Sequence, residues 1–145
     1  MASNLSGDFA ELAKVIKSLG NVAKDSIPTI AIKGAVEINK VVEQQFASGT
    51  DPYGRSWADL KASTVKKGRK PPPLTASGRM RRMAKAVPSA KGTITEKIPF
   101  PAPIHQAGSA QMAARVLVPH GLLPRSWSEP LQRVGVEVIS SRLKK

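Results

Sequence analysis

The chain has 145 residues, 41% of them hydrophobic, a formal net charge of +13 at pH 7 and no cysteine. That length fits one domain with a real core, the composition excludes a disordered chain, and the missing thiols exclude disulfides, thiolate metal sites and cysteine nucleophiles. No apolar run approaches the ~20 residues that span a bilayer, and residues 1–15 lack the basic start and apolar stretch of a leader, so a protein made and kept in a cytoplasm is expected.

Helical spacing comes first along the chain. Phe9, Leu12, Ile16 and Leu19 recur at intervals of three and four, which predicts a helix over about residues 7–19 with Ser6 as cap, Asp8 and Glu11 in its first turn and Gly20-Asn21 as its stop. A longer helix is expected from Ser26 or Asp25 as cap to Ser48, with Pro28 in its first turn and Ile27, Ile30, Ala31, Ala35, Ile38, Val41, Val42 and Phe46 at helical spacing. Both stripes read as core.

Residues 49–76 keep no period and contain three successive prolines, which predicts a long exposed loop. The charge belongs to one part of the chain. Residues 1–60 carry six Lys/Arg against seven Asp/Glu, net −1, whereas 61–145 carry seventeen against three, net +14. No acid falls between Asp59 and Glu96, while Lys61, Lys66, Lys67, Arg69, Lys70, Arg79, Arg81 and Arg82 do, and such a field attracts nucleic acid or an acidic protein surface. No aromatic residue lies between 58 and 99, which argues against base stacking.

A short helix fits "SGRMRRMAKA", with Met80, Met83 and Ala84 on one side. A hairpin around Gly92 follows, with Val87, Ile94 and Ile98 as inward candidates. Then come a Pro-opened turn of helix at "PAPIHQAGS", a strand at "ARVLVPH", and a last helix capped by Ser126 with Glu129, its stripe running Trp127, Leu131, Val134, Val138. The expected fold is α+β: N-terminal helices, a small antiparallel sheet, a long basic loop and a C-terminal helix. The expected single domain divides into a helical half (1–48), a basic loop or arm (49–82), and the sheet with the last helix (83–145).

Catalytic and metal constellations are not found. His105 and His120 have no acid or thiol nearby to share an ion, and no nucleophile elbow, phosphate loop or dinucleotide fingerprint is present, so neither an enzyme nor a cofactor is expected. The turn "GTDPYGRSWADL" is unusual in a different way. Pro52, Tyr53 and Gly54 make a tight turn, yet a turn needs no indole, so Trp57 and Leu60 read as anchors against Phe46 at the start of the basic arm, with Arg55 facing a partner.

Taken in order, four stretches resemble the virion-morphogenesis or tail-completion family of tailed phages, the Mu type. The phrase F-x-x-x-x-D-P-x-G-x-x-W-x-x-L runs through Phe46, Asp51, Pro52, Gly54, Trp57 and Leu60; a second element is Leu74, Ser77, Gly78 and Met80. "IHQAG" holds His105 and Gly108, and "LPRSWSE" holds Pro124, Arg125 and Trp127. The resemblance covers roughly residues 40–140. It implies a structural protein at the neck or tail end that forms a ring, expected as a hexamer, and is needed to complete tails or join them to filled heads. Its implied partners are further copies of itself, head-closure or connector proteins, and tail terminator or tail tube proteins, with non-specific contact to packaged DNA and no membrane. Its implied place is the virion, after synthesis in the host cytoplasm. The alternative from the residues alone is a free nucleic-acid-binding protein that reads no sequence.

Overall fold

The computed structural model describes residues 9–75 and 77–144. Its spine is α1 (Phe9–Ser48), 40 residues long and therefore about 60 Å from end to end. The two expected helices are one. Gly20 keeps helical backbone instead of the left-handed geometry that would end a helix, and Ser26, instead of capping, is buried and donates from Oγ to the Val22 carbonyl at 2.6 Å. Pro28 lies inside the helix. A proline there removes one hydrogen bond, at about 3 kcal/mol; beside it the hairpin tip meets Ile27, which stays exposed, and Arg142 donates to the Thr29 hydroxyl. The expected cap Ser6, the expected first-turn residue Asp8, and the side chains of Phe9 and Glu11 lie outside the described residues.

The two stripes of α1 differ in what they meet. Ala31, Ala35, Ile38, Val42 and Phe46 are buried. Leu12, Ile16 and Leu19 are instead 53%, 61% and 49% exposed, so the first stripe is not core in this chain. The reason is geometric. The last helix, α5 (Arg125–Leu143), runs antiparallel to α1, with Trp127 at Gln45, Glu137 at Lys33 and Arg142 at Thr29. It ends there, and residues 9–25 project about 25 Å beyond it. Gly34 lets the two helices close: a Cβ on it would stand 2.8 Å from Leu131 Cδ2.

The hairpin β1 (Lys85–Pro88) and β2 (Ile94–Lys97) packs on α1 and forms a two-stranded antiparallel sheet. Its register pairs Ala86 with Glu96 and Val87 with Thr95, which turns Ala86 inward and leaves Val87 exposed, against expectation. Asn39 holds the strand there by its main chain: its amide donates to the Ala86 carbonyl (3.2 Å) and accepts from the Ala86 N–H (2.8 Å).

Two short helices lie in the basic half, α2 (Ala62–Lys66) and α3 (Arg79–Met83). In α3, Met80 is buried with Ala84 just beyond it, whereas Met83 is exposed. α4 (Ala102–Ala107) is the expected proline-opened turn of helix. The expected strand at 114–120 is extended but joins no ladder among the described residues, and side chains take the place of strand neighbours. Gln106 accepts from the Leu117 and Val118 N–H groups (2.6 and 3.2 Å) and donates to the Val118 carbonyl (2.8 Å); Gln45 donates to the Leu117 carbonyl (3.2 Å). The expected capping box of α5 does not form either. Ser126 Oγ donates to the Pro52 carbonyl at 2.7 Å and Glu129 pairs with Arg125.

Two positions give expected outcomes. Gly108 has φ 73° and ψ −177°, a conformation open to glycine alone, and a Cβ there would lie 2.8 Å from the Ala114 N. Gly108→Ala is expected to destabilise by about 2–3 kcal/mol, read from the urea midpoint; an unchanged midpoint would refute the strain. Both carboxylate oxygens of Glu96 are buried without a hydrogen-bond partner, and burial pushes the carboxyl up from 4.5 to about 7. The folded chain then holds this proton more tightly than the unfolded one. Its contribution is present in full below pH 4.5 and is lost as the pH rises through 7. Glu96→Gln should therefore stabilise the protein more at pH 8 than at pH 5 in paired thermal melts, and an equal effect at both would contradict the assignment.

Candidate functional site

The turn after α1 is built around Asp51. Its buried carboxylate accepts the N–H groups of Tyr53 (2.8 Å) and Arg55 (2.9 Å) and the Arg55 Nε (2.9 Å), while Gly54 N–H closes back on the Asp51 carbonyl at 3.0 Å. An aspartate followed by proline suits this geometry because the carboxylate satisfies amides that the turn would otherwise leave open. Pro52 is fully buried.

From this turn two side chains and one main-chain carbonyl reach other segments. Trp57 stands edge-on to Phe46, ring centres 5.5 Å apart at 70°, and its indole N–H donates to the Val116 carbonyl at 2.9 Å. Tyr53 Oη donates to the His120 carbonyl (2.7 Å) and accepts the His120 N–H (3.2 Å). Pro52 receives Ser126 at the start of α5. Behind them Gln45 joins the set, accepting the Trp127 indole N–H at 2.8 Å. Arg55, expected to face a partner, pairs with Asp51 and lies over the Tyr53 ring at 5.4 Å. Leu60 is half-buried at the start of the basic segment.

The basic segment leaves the body after Lys61 and returns at Pro73, Leu74 and Met80, which pack on the core. Between this excursion and the stretch from Phe100 to Arg115 lies a cleft of about 650 Å³. Lys61, Arg69, Lys70, Arg79 and Arg115 line it, against Asp59 as its one acid. Leu74, Met80, Phe100 and Met112 give it an apolar wall, and Phe100 is 74% exposed at its mouth. The expected basic residues thus separate. Arg81 instead forms an ion pair with Glu43 of α1, Arg82 donates to the Ser77 carbonyl, and Lys66 and Lys67 are exposed beyond the cleft.

Of the remaining motif residues, Leu74, Ser77 and His105 line the cleft, and Gly78 opens α3 with φ 65°. Gly108 ends α4, while Pro124, Arg125 and Trp127 begin α5. Sequence reasoning missed Arg115. It is 7% exposed, its guanidinium held by the carbonyls of Ala58 (2.9 Å) and Asp59 (3.0 Å), with no carboxylate within 4.0 Å among the described residues. A lone arginine inside the apolar run "ARVLVPH" was the available signal. Next to it, burial first and the Arg115 charge second push the His105 imidazole down from its usual range, and its Nδ1 is buried without a partner. Among the described residues no group of three His, Asp or Glu is placed to hold a metal ion, and no helix is long and apolar enough to cross a membrane.

Compared with known proteins, the chain matches the phage virion morphogenesis family over residues 8–127. No curated protein and no solved structure matches it.

The turn's energy divides between packing and one hydrogen bond. Trp57→Phe keeps a ring against Phe46 but strands the Val116 carbonyl, and is expected to cost about 1–3 kcal/mol; Trp57→Ala should cost about 3–5 kcal/mol. Urea unfolding of both variants checks this. Equal losses would place the whole effect in the hydrogen bond.

Proposed function

The chain belongs to the phage virion morphogenesis family, and from that premise we propose that it is a structural protein of the neck or tail end. In this reading copies of the chain form a ring at the head–tail junction, the packaged duplex passes through its lumen, and the ring is needed to complete tails and join them to filled heads. Its neighbours are then head-closure or connector proteins on one side and tail terminator or tail tube proteins on the other. The chain acts as one domain, by binding and not by catalysis.

The observation that carries this reading is the pair of unlike surfaces at opposite ends of α1. One end presents an apolar helix face that no other described element covers, the other a basic cleft with an exposed phenylalanine. Apolar helix faces of this extent are normally covered by a partner, and contacts between unlike surfaces generate rings when the rotation closes. The exposed Lys66 and Lys67 suit phosphate contact without base reading. The second reading, a free nucleic-acid-binding protein, draws on the same cations but leaves the apolar face without a use.

Mass photometry and negative-stain microscopy of the purified chain and of assembled tails test the proposal. A closed ring in both is expected. A chain that stays monomeric and is absent from purified particles would overturn it, and steep loss of DNA affinity with salt in that monomer would favour the second reading.

A further inference from the structure

Resting on the ring reading, we propose that the leading half of α1 from one copy docks into the basic cleft of the next copy, and that this is the contact that propagates the ring. The helix needs a cover. From residue 12 to residue 25 every side chain is exposed except half-buried Val22, and Leu12, Val15, Ile16 and Leu19 fall along one side. Among the described residues the other elements stop short of it, since α5 ends opposite Thr29 and the hairpin tip reaches only Ile27.

The cleft needs an occupant of a particular kind. Its apolar wall and exposed Phe100 ask for apolar side chains, and its five cations against one acid ask for carboxylates beside them. Arg115 makes the second demand specific, because a guanidinium this deeply buried with only carbonyl partners lacks a counter-charge. His105, with a buried ring nitrogen that nothing meets, faces the same space. The start of this chain has that chemistry: residues 1–13 contain Asp8 and Glu11 between Leu5, Phe9 and Leu12, and no Lys or Arg.

The same molecule cannot satisfy both needs. Leu12 and Phe46 are separated by about 50 Å of continuous helix, and the cleft lies toward the Phe46 end, its wall including α3, which pairs with Glu43 through Arg81. An occupant with this sequence therefore comes from a second copy, and the contact is head to tail. A DNA duplex is a poorer fit, since a concave site with an apolar wall offers phosphates little.

The test uses two full-length variants whose changes are exposed: Ile16→Ser with Leu19→Ser on the helix, and Lys70→Glu with Arg79→Glu in the cleft. Circular dichroism establishes that each folds. By sedimentation, each alone should associate at least ~10-fold more weakly than wild type. Mixed, they should form a one-to-one complex that grows no further, because one retains a working cleft and the other a working helix. If the cleft variant assembles like wild type, helices pair with each other and the proposal is wrong. If it assembles but loses DNA, the cations serve the duplex and the proposal is equally wrong. No complex on mixing two monomeric variants also overturns it. A wild-type ring indifferent to both variants sinks only this contact, whereas a wild-type chain that never assembles sinks the ring reading with it.

Discussion

Amide side chains satisfying extended backbone are what the rest of this structure depends on. Two strands of four residues cannot on their own satisfy the main chain that runs along them. Asn39 meets both polar groups of Ala86, Gln106 meets three groups at Leu117 and Val118, and Gln45 bridges the Leu117 carbonyl and the Trp127 indole. Two of these three amides hang from α1. The helix therefore acts as sheet edge and core wall together, and a chain with so few ladder bonds still closes around Phe46 and Trp57.

Electrostatics follow the same division of the chain. Residues 61–145 carry all the excess positive charge, and some of it returns to acids of α1, as Arg81 does with Glu43. In the other direction Lys33 of α1 meets Glu137 of α5, where the ion pair holds the Glu137 carboxyl below its usual range. Such surface pairs contribute little individually. Their effect is to remove some cations from the general field and leave the cleft as a place where positive charge gathers with Asp59 alone among its lining to answer it.

The sequence was legible where one period governs. The buried face of α1, the stripe of α5, the hairpin and the proline-opened turn at 102 are all local patterns, and the phrase from Phe46 to Leu60 carries the family. It misled where a distant partner decides. Gly20, Pro28 and Ser26 read locally as punctuation, yet cooperative propagation of a helix already anchored by packing overrides them. Residues 114–120 have strand composition without a strand beside them, because Gln45 and Gln106 are remote in sequence. Ser126 found Pro52 instead of its own helix end. Arg115 was invisible for the same reason: its partners are carbonyls more than fifty residues away.

That α1 is one unbroken rod has a consequence for how its length can vary. Each residue turns a helix by about 100°. Adding or removing one residue between Leu19 and Ala31 would swing the leading apolar face a quarter turn or more around the axis, while the buried half stayed where it is. Only changes near seven or eleven residues bring the two faces back into phase. The distance from the Asp51 turn to the tip of the helix is thus quantised: the rod works as a ruler whose divisions are pairs or triplets of helical turns, and any shorter adjustment would point its end the wrong way.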